Sequence, residues 1–450
     1  MSGRLALKNS IILVVALSLC GTAVANPFLT DDSPRLGHPT KGRKATGSNE
    51  HDAAPSIAEL REMGPAGLKA FLDTNGSQIE AAVIMSSIKP LSSDQRELLS
   101  SLDSICKQKD CYASRLYWYT DLDQAKTAAQ QQSKPILSLR LLGQLDQDLS
   151  CANSRLFRIA LYANDQVSAL LREKFILHWQ SERPVPRVTI DFGDGRKLER
   201  TLTGNSIHYV LDSQGRLIDA LPGLYGPQAF TRELGSISKE AAELKSAKSE
   251  EERLVALRRY HETRMIELEN AWASDLKQAD VLQAPSREIP KPGTPTAPPA
   301  ATVAARGAVS KALLVERPVL RGISDNPGSL DSIGSDAAWS KIAMLHAREA
   351  LIDSSTKALM SFKDPGLIEL PLETAVGSLQ RAIALDTVRN EYIFRARIHQ
   401  WLASGAVRND MAALNEKVYS ELFLTPAWDA WLGLRSEGSY SGIDNDGLRK

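Results

Sequence analysis

The sequence predicts an α/β core with flanking all-α regions, and three observations predict it. Between Tyr117 and about Leu224, short β-rich runs alternate with amphipathic stretches of helix length, the pattern of a sheet with crossover helices. On both sides of that stretch, apolar residues recur at three- and four-residue spacing, which is the helical period. Six prolines between Gln283 and about Ala308 then interrupt the helical pattern and read as a linker of polyproline character.

The elements follow in order. Ile57 to Asp73 and Ser77 to Lys107 carry helical periodicity, broken at Gly64-Pro65 and Lys89-Pro90 into three or four short helices. They are expected to form a helical cap on the core. Arg115 to Tyr119, aromatic and bounded by polar residues, reads as the opening strand. Thr120 offers an N-cap for a helix from Leu122 to Gln132. Lys134 to Leu142 is the next strand, with Pro135 at its start, where a missing N–H costs nothing.

A long helix from Ser150 to Lys174 carries a fresh N-cap near Asn164-Asp165. Phe175 to Trp179 is a strand. Two hairpins turn at Gly193-Asp-Gly195 and at Asp212-Ser-Gln-Gly215. A closing helix starts at Pro227, a residue suited to a first helical turn. Ser249 with Glu252 is a capping box opening an amphipathic helix, its apolar face made of Leu254, Leu257, His261, Met265, Leu268, Trp272 and Leu276. Beyond the linker, Ser335 to Trp339, Leu372 to Leu385, Arg389 to Ala403 and Val407 to Leu422 are helical. Trp428 and Trp431 follow in "FLTPAWDAWLGL", read either as a segment folded back over the bundle or as a docking surface.

With 450 residues and 43% hydrophobic content, the chain supports two to three domains with real cores. Arg4 and Lys8, the apolar run Ile11 to Leu19, and Ala23-Val-Ala25 form a signal peptide, and export follows. A retained anchor and lipidation at Cys20 are the alternatives. Cleavage after Ala25 removes two bases and no acids, leaving a nearly balanced charge that excludes an electrostatic footprint for nucleic acid or a membrane surface. Nothing beyond the leader is long and apolar enough to span a bilayer.

The division is therefore a signal peptide at 1–25, a disordered lead-in at 26–54, a helical cap at 55–110 and an α/β domain at 111–245. An amphipathic helix at 246–282, a linker at 283–310 and a helical C-terminal domain at 311–450 complete it.

Cys106, Cys111 and Cys151 remain after cleavage. In an oxidising compartment an odd count means one bridge and one free thiol, or an intermolecular bond. The loop between Cys106 and Cys111 is short enough for a local clip, worth roughly 2 kcal/mol.

The order β-α-β-α-β-hairpin-α, with "KPILSL", "NDQVSALLREKFILHW", "SERPVP" and "HYVLDSQGRLID" in sequence, resembles the thioredoxin-like superfamily over about a quarter of the chain. The register of that family's Cys-x-x-Cys falls here on Leu145-Asp-Gln-Asp148, and its cis-proline position falls on Ser206. Both hallmarks are absent. Cys151 lies past the expected pair and has no cysteine three residues on.

The resemblance implies a binding groove made of Leu145, Asp146, Asp148, Asn205, Ser206 and Ile207, and a binding or scaffolding role toward another protein or peptide. No cofactor and no metal is expected. The alternative is thiol–disulfide chemistry, either through Cys151, activated by a helix N-terminus, or through a Cys106/Cys111 dithiol pair. A third reading is an assembly factor that uses the C-terminal helices with Trp428 and Trp431. Asp146, Asp148 and Glu182 have no spacing that fixes paired-carboxylate chemistry. His178 and His208 lack a ligand-like spacing and read as sheet residues.

Overall fold

A mixed four-stranded sheet runs in the order β2-β1-β5-β6, built from β1 (Ile136–Leu142), β2 (Ile176–Arg183), β5 (Ile207–Leu211) and β6 (Leu217–Pro222). Strands β1 and β2 are parallel; β5 is antiparallel to β1, and β6 to β5. The hairpin of β3 (Arg187–Asp191) and β4 (Lys197–Thr201) is a separate two-stranded ribbon. Every residue of β1 is buried, as in a central strand covered on both faces. The computed structural model describes residues 55–435, apart from 87–88, 325–326, 365–371 and 408–409, together with 442, 443, 445 and 448. The expected signal peptide, its Cys20 and the lead-in lie outside the described residues.

The N-terminal cap consists of α1 (Ile57–Glu62), α2 (Pro65–Ser86), α3 (Ser93–Cys106) and the short α4 (Cys111–Ser114). Helix α2 runs straight through Thr74-Asn75-Gly76, where the sequence suggested a break. The Thr74 hydroxyl and the Asn75 amide donate back to the carbonyls of Ala70 and Phe71, so neither serves as a cap. Leu60, Leu68, Phe71, Leu102 and Ile105 form a small core of their own around the disulfide that joins Cys106 and Cys111.

The expected opening strand is reduced to one parallel bridge, between Tyr119 and His178. The backbone before it serves the cap instead. Trp118 N–H donates to the Cys106 carbonyl (3.0 Å), and Arg61 donates to the carbonyls of Trp118 (2.6 Å) and Ile105 (2.9 Å).

Helix α5 (Leu122–Gln132) is capped by Asp121 rather than Thr120. The long helix after β1 divides into α6 (Ala152–Leu156), a π-helical stretch (Phe157–Tyr162) and α7 (Asp165–Lys174), with the Asn164 side chain accepting from Gln166 and Val167. Pro227 and Ser249 open α8 (Pro227–Leu244) and α9 (Glu250–Gln278) as their residue types require.

After the Pro-rich stretch come α10 (Ala301–Ala304), α11 (Val309–Lys311), α12 (Arg317–Ile323), α13 (Ala337–Leu345) and α14 (Ser354–Lys363). Then follow α15 (Leu372–Arg389), α16 (Ala396–Ala403) and α17 (Met411–Lys417). These helices, expected as a separate domain, share one hydrophobic core with the sheet: Val309, Ile383, Ile398 and Phe423 belong to the same buried cluster as Leu139, Tyr209 and Leu221. Pro55 to Lys450 accordingly form one unit. Among the described residues, no helix is long and apolar enough to cross a membrane.

Candidate functional site

The loop after β1 and the segment before β5 meet over the sheet, and Cys151 and Ser206 meet with them. Cys151 caps the N-terminus of α6, its N–H donating to the Leu142 carbonyl (3.1 Å). Its Sγ lies 3.2 Å from the Ser206 hydroxyl, and both residues are fully buried. The approach to Ser206 bends through two left-handed residues, Thr203 (φ 56°) and Gly204 (φ 91°). Gly204 suits glycine because a φ of 91° strains any side chain, and a Cβ there would also stand 3.0 Å from the Leu142 side chain.

The loop holding Leu145 to Asp148 is pinned rather than free. Arg158, wholly buried, donates to the carbonyls of Leu145 (3.0 Å) and Gln147 (2.8 Å), and Lys109 N–H donates to Leu145 as well (3.0 Å). Leu145, Asn205, Ser206 and Ile207 are all buried, so the expected groove is not open to solvent. It is covered by the chain's own C-terminal helices. Lys311 of α11 donates to the Gly204 carbonyl (3.1 Å), and Tyr419, just after α17, donates to the Asn205 carbonyl (3.1 Å). Of the expected groove residues, Asp146 and Asp148 reach the rim, where they pair with Lys107 (3.4 Å) and Lys363 (3.5 Å).

Inside this centre the polar groups are mostly uncharged. Neither polar atom of the Asn153 or the Asn205 side chain has a protein partner, nor does the Thr203 hydroxyl. One buried ion pair, Lys311–Glu316 (3.6 Å), stands beside it, and burial raises the Glu316 carboxyl. Cys106 and Cys111 are bonded to each other, and among the described residues Cys151 is the free thiol.

The other candidates separate. Asp146, Asp148 and Glu182 pair with three different cations, Asp148 sharing Lys363 with the closer Asp110 (2.7 Å) and Glu182 pairing with Arg140 (3.2 Å). His178 stands opposite Ser138 and His208 opposite Leu139, so the two rings leave opposite faces of the sheet. His178 meets the Ser138 hydroxyl (2.8 Å) and His208 the Tyr162 hydroxyl (2.7 Å). Burial pushes His178 down to about 4 and His208 down to about 3, so both are neutral imidazoles at neutral pH.

A second polar centre was not legible in the sequence. Asp219 on β6, His261 on α9 and His399 on α16 converge in the core, with Arg395 beside them. By its spacing His261 belongs to the apolar face of α9, and His399 belongs to no motif. No short-range pattern links residues so far apart in the chain.

Compared with known proteins, the chain matches no protein-family model, no curated protein and no solved structure.

Proposed function

We propose that the chain is an exported, thioredoxin-like protein without redox chemistry that acts as a binding or scaffolding module for another protein. The fold side of this reading is supported by the sheet order β2-β1-β5-β6, with one parallel and two antiparallel pairings and a helical crossover between β1 and β2. Its central support is the state of Cys151. A thiol attacks only as an accessible thiolate, whereas this sulfur is fully buried against a serine hydroxyl, and the other two cysteines are bonded to each other.

The groove beside Ser206 already holds the C-terminal helices, so the scaffold reading assigns it an internal role. A partner then docks outside it. The segment after α17 offers a face for that role: Arg183 of β2 donates to the carbonyls of Asp429 (2.9 Å) and Thr425 (3.2 Å), while Phe423 and Leu432 are buried beneath. Trp428 and Trp431 stay 41% and 51% exposed, and large exposed aromatics favour protein contacts.

The experiment is a thiol count on the mature chain, native and unfolded, alongside an insulin-reduction assay. Expected are no reactive thiol in the native state, one per chain after denaturation, and no reductase activity. Rapid native labelling of Cys151, or reductase activity lost in Cys151→Ser, would overturn the reading in favour of thiol–disulfide chemistry.

A further inference from the structure

Asp219, His261 and His399 offer one carboxylate and two imidazoles whose donor atoms all lie within 4.8 Å of one another, and all three residues are buried. The two Nδ1 atoms are 2.9 Å apart, and Asp219 Oδ1 is 3.9 Å from His399 Nδ1. Donors held at about 2.1 Å from a common cation lie roughly 3 to 3.5 Å apart, so closing this set takes movements of about an ångström or less. From these positions we propose that Asp219, His261 and His399 bind a divalent first-row transition cation of the zinc type, clipping the helices on either side of the Pro-rich stretch to the sheet.

Three further observations support the site. Oδ2 of Asp219 is already oriented, accepting from the Tyr260 hydroxyl (2.8 Å) and from Arg395 Nη2 (3.0 Å), while Oδ1, on the imidazole side, accepts from the Ala220 N–H (2.7 Å) and keeps a lone pair for a cation. Such partners of a ligating carboxylate fix its aim. The buried Nε2 atoms of both histidines have no protein partner. A neutral pair sharing one Nδ1 proton therefore leaves buried ring nitrogens unsatisfied, which is costly.

The charge count points the same way. A single chain of ion pairs joins Asp219, Glu233, Glu267, Asp275, Glu349 and Glu391 to Arg232, Arg264, Arg395 and His346, six carboxylates against four cations. Glu267 and Arg232 lie half exposed, where water screens them, and the excess that remains in the buried part favours a cation beside Asp219.

In chain order the three ligands come from β6, from α9 before the prolines and from α16 after them. The ion would thus do by coordination what the Cys106–Cys111 bond does covalently in the cap.

The test uses the full mature chain, unfolded in chelator and refolded with cobalt(II) alone. One equivalent is expected to bind with a nitrogen-ligand absorption band that zinc abolishes by displacement. Zinc held at about a hundred times its dissociation constant raises the folded-to-unfolded ratio about a hundredfold. His261→Gln and His399→Gln lose both effects. An X-ray absorption spectrum of the wild-type cobalt protein, independent of whether the variants fold, is expected to show imidazole in the first shell. Refolded wild type that retains no stoichiometric ion, a first shell without imidazole, or folded histidine variants that bind as wild type would each overturn the proposal.

Discussion

Two buried polar centres flank the hydrophobic core of this protein, and they are built on different physics. Around Cys151 and Ser206, a thiol, hydroxyls and unpartnered amides face one another, with one buried ion pair and the Arg158 guanidinium, bonded to carbonyls, beside them. Around Asp219 and Arg395, whole charges are buried: Arg395 is inaccessible, yet pairs with Asp219 (3.0 Å), Glu391 (3.1 Å) and Glu233. The first centre seals its thiol inside the chain. The second carries no sequence motif, and it concentrates the charge.

The largest effect is expected from Arg395→Met. Removing one partner from a buried network strands its carboxylates, which typically costs about 3–5 kcal/mol, more than the pair itself contributes. Denaturant unfolding should register that loss, and the Glu391 carboxyl, already raised by burial, should then take up a proton. A loss below about 1 kcal/mol would mean that the network is solvated after all, and the contrast between the two centres would collapse.

Much of the fold was legible for local reasons. The turn at Gly193–Gly195, Pro227 at the start of α8, Ser249 before α9 and Asn164 within the long helix all act through bonds within a few residues, and the structure has each of them. The Cys106–Cys111 bridge was legible from spacing. What failed was long-range. Arg115 to Tyr119 has strand composition, but Arg61, distant in sequence, bonds to the Trp118 carbonyl and draws this backbone to the cap. The prolines between Gln283 and Ala308 look like a separator, yet composition cannot show that Ile383 and Phe423 join the same buried cluster as Leu139 and Tyr209. Ser206 meets the Cys151 thiol inside the protein, because the helices that cover it arrive more than a hundred residues later in the chain, with Lys311 and Tyr419.

The pH dependence sharpens the comparison at intermediate magnitude. In the charged centre, burial works to raise Glu233, but Arg395 and Arg264 outweigh it and bring the carboxyl down to about 2. A depressed carboxyl contributes stability that is present above its ordinary value near 4.5 and lost as pH falls toward about 2. His346 does the opposite: bonds to Asp275 and Glu349 raise it to about 9, so its contribution is complete below about 6.5 and lost as pH rises through about 9. Urea midpoints measured across that range should fall on both sides, with His346→Gln flattening the alkaline limb and Arg395→Met the acid one. Identical limbs in wild type and variants would remove the network from the account.

The smallest effect is expected at the thiol centre. Ser206→Ala deletes one thiol–hydroxyl contact of 3.2 Å, and Cys151→Ser replaces a weak donor by a stronger one in nearly the same volume. Neither change strands a charge, so each should cost about 1 kcal/mol or less. Both variants should keep the native thiol pattern otherwise unchanged, with the C-terminal helices still held through Lys311 and Tyr419. The informative result is a large one. A loss of about 3 kcal/mol from Ser206→Ala would show that the serine is coupled to the packing of the helices above it well beyond its one contact with the thiol. The thiol centre would then be as tightly coupled as the charged one, and its resemblance to a redox site would reflect a packing constraint on the C-terminal helices.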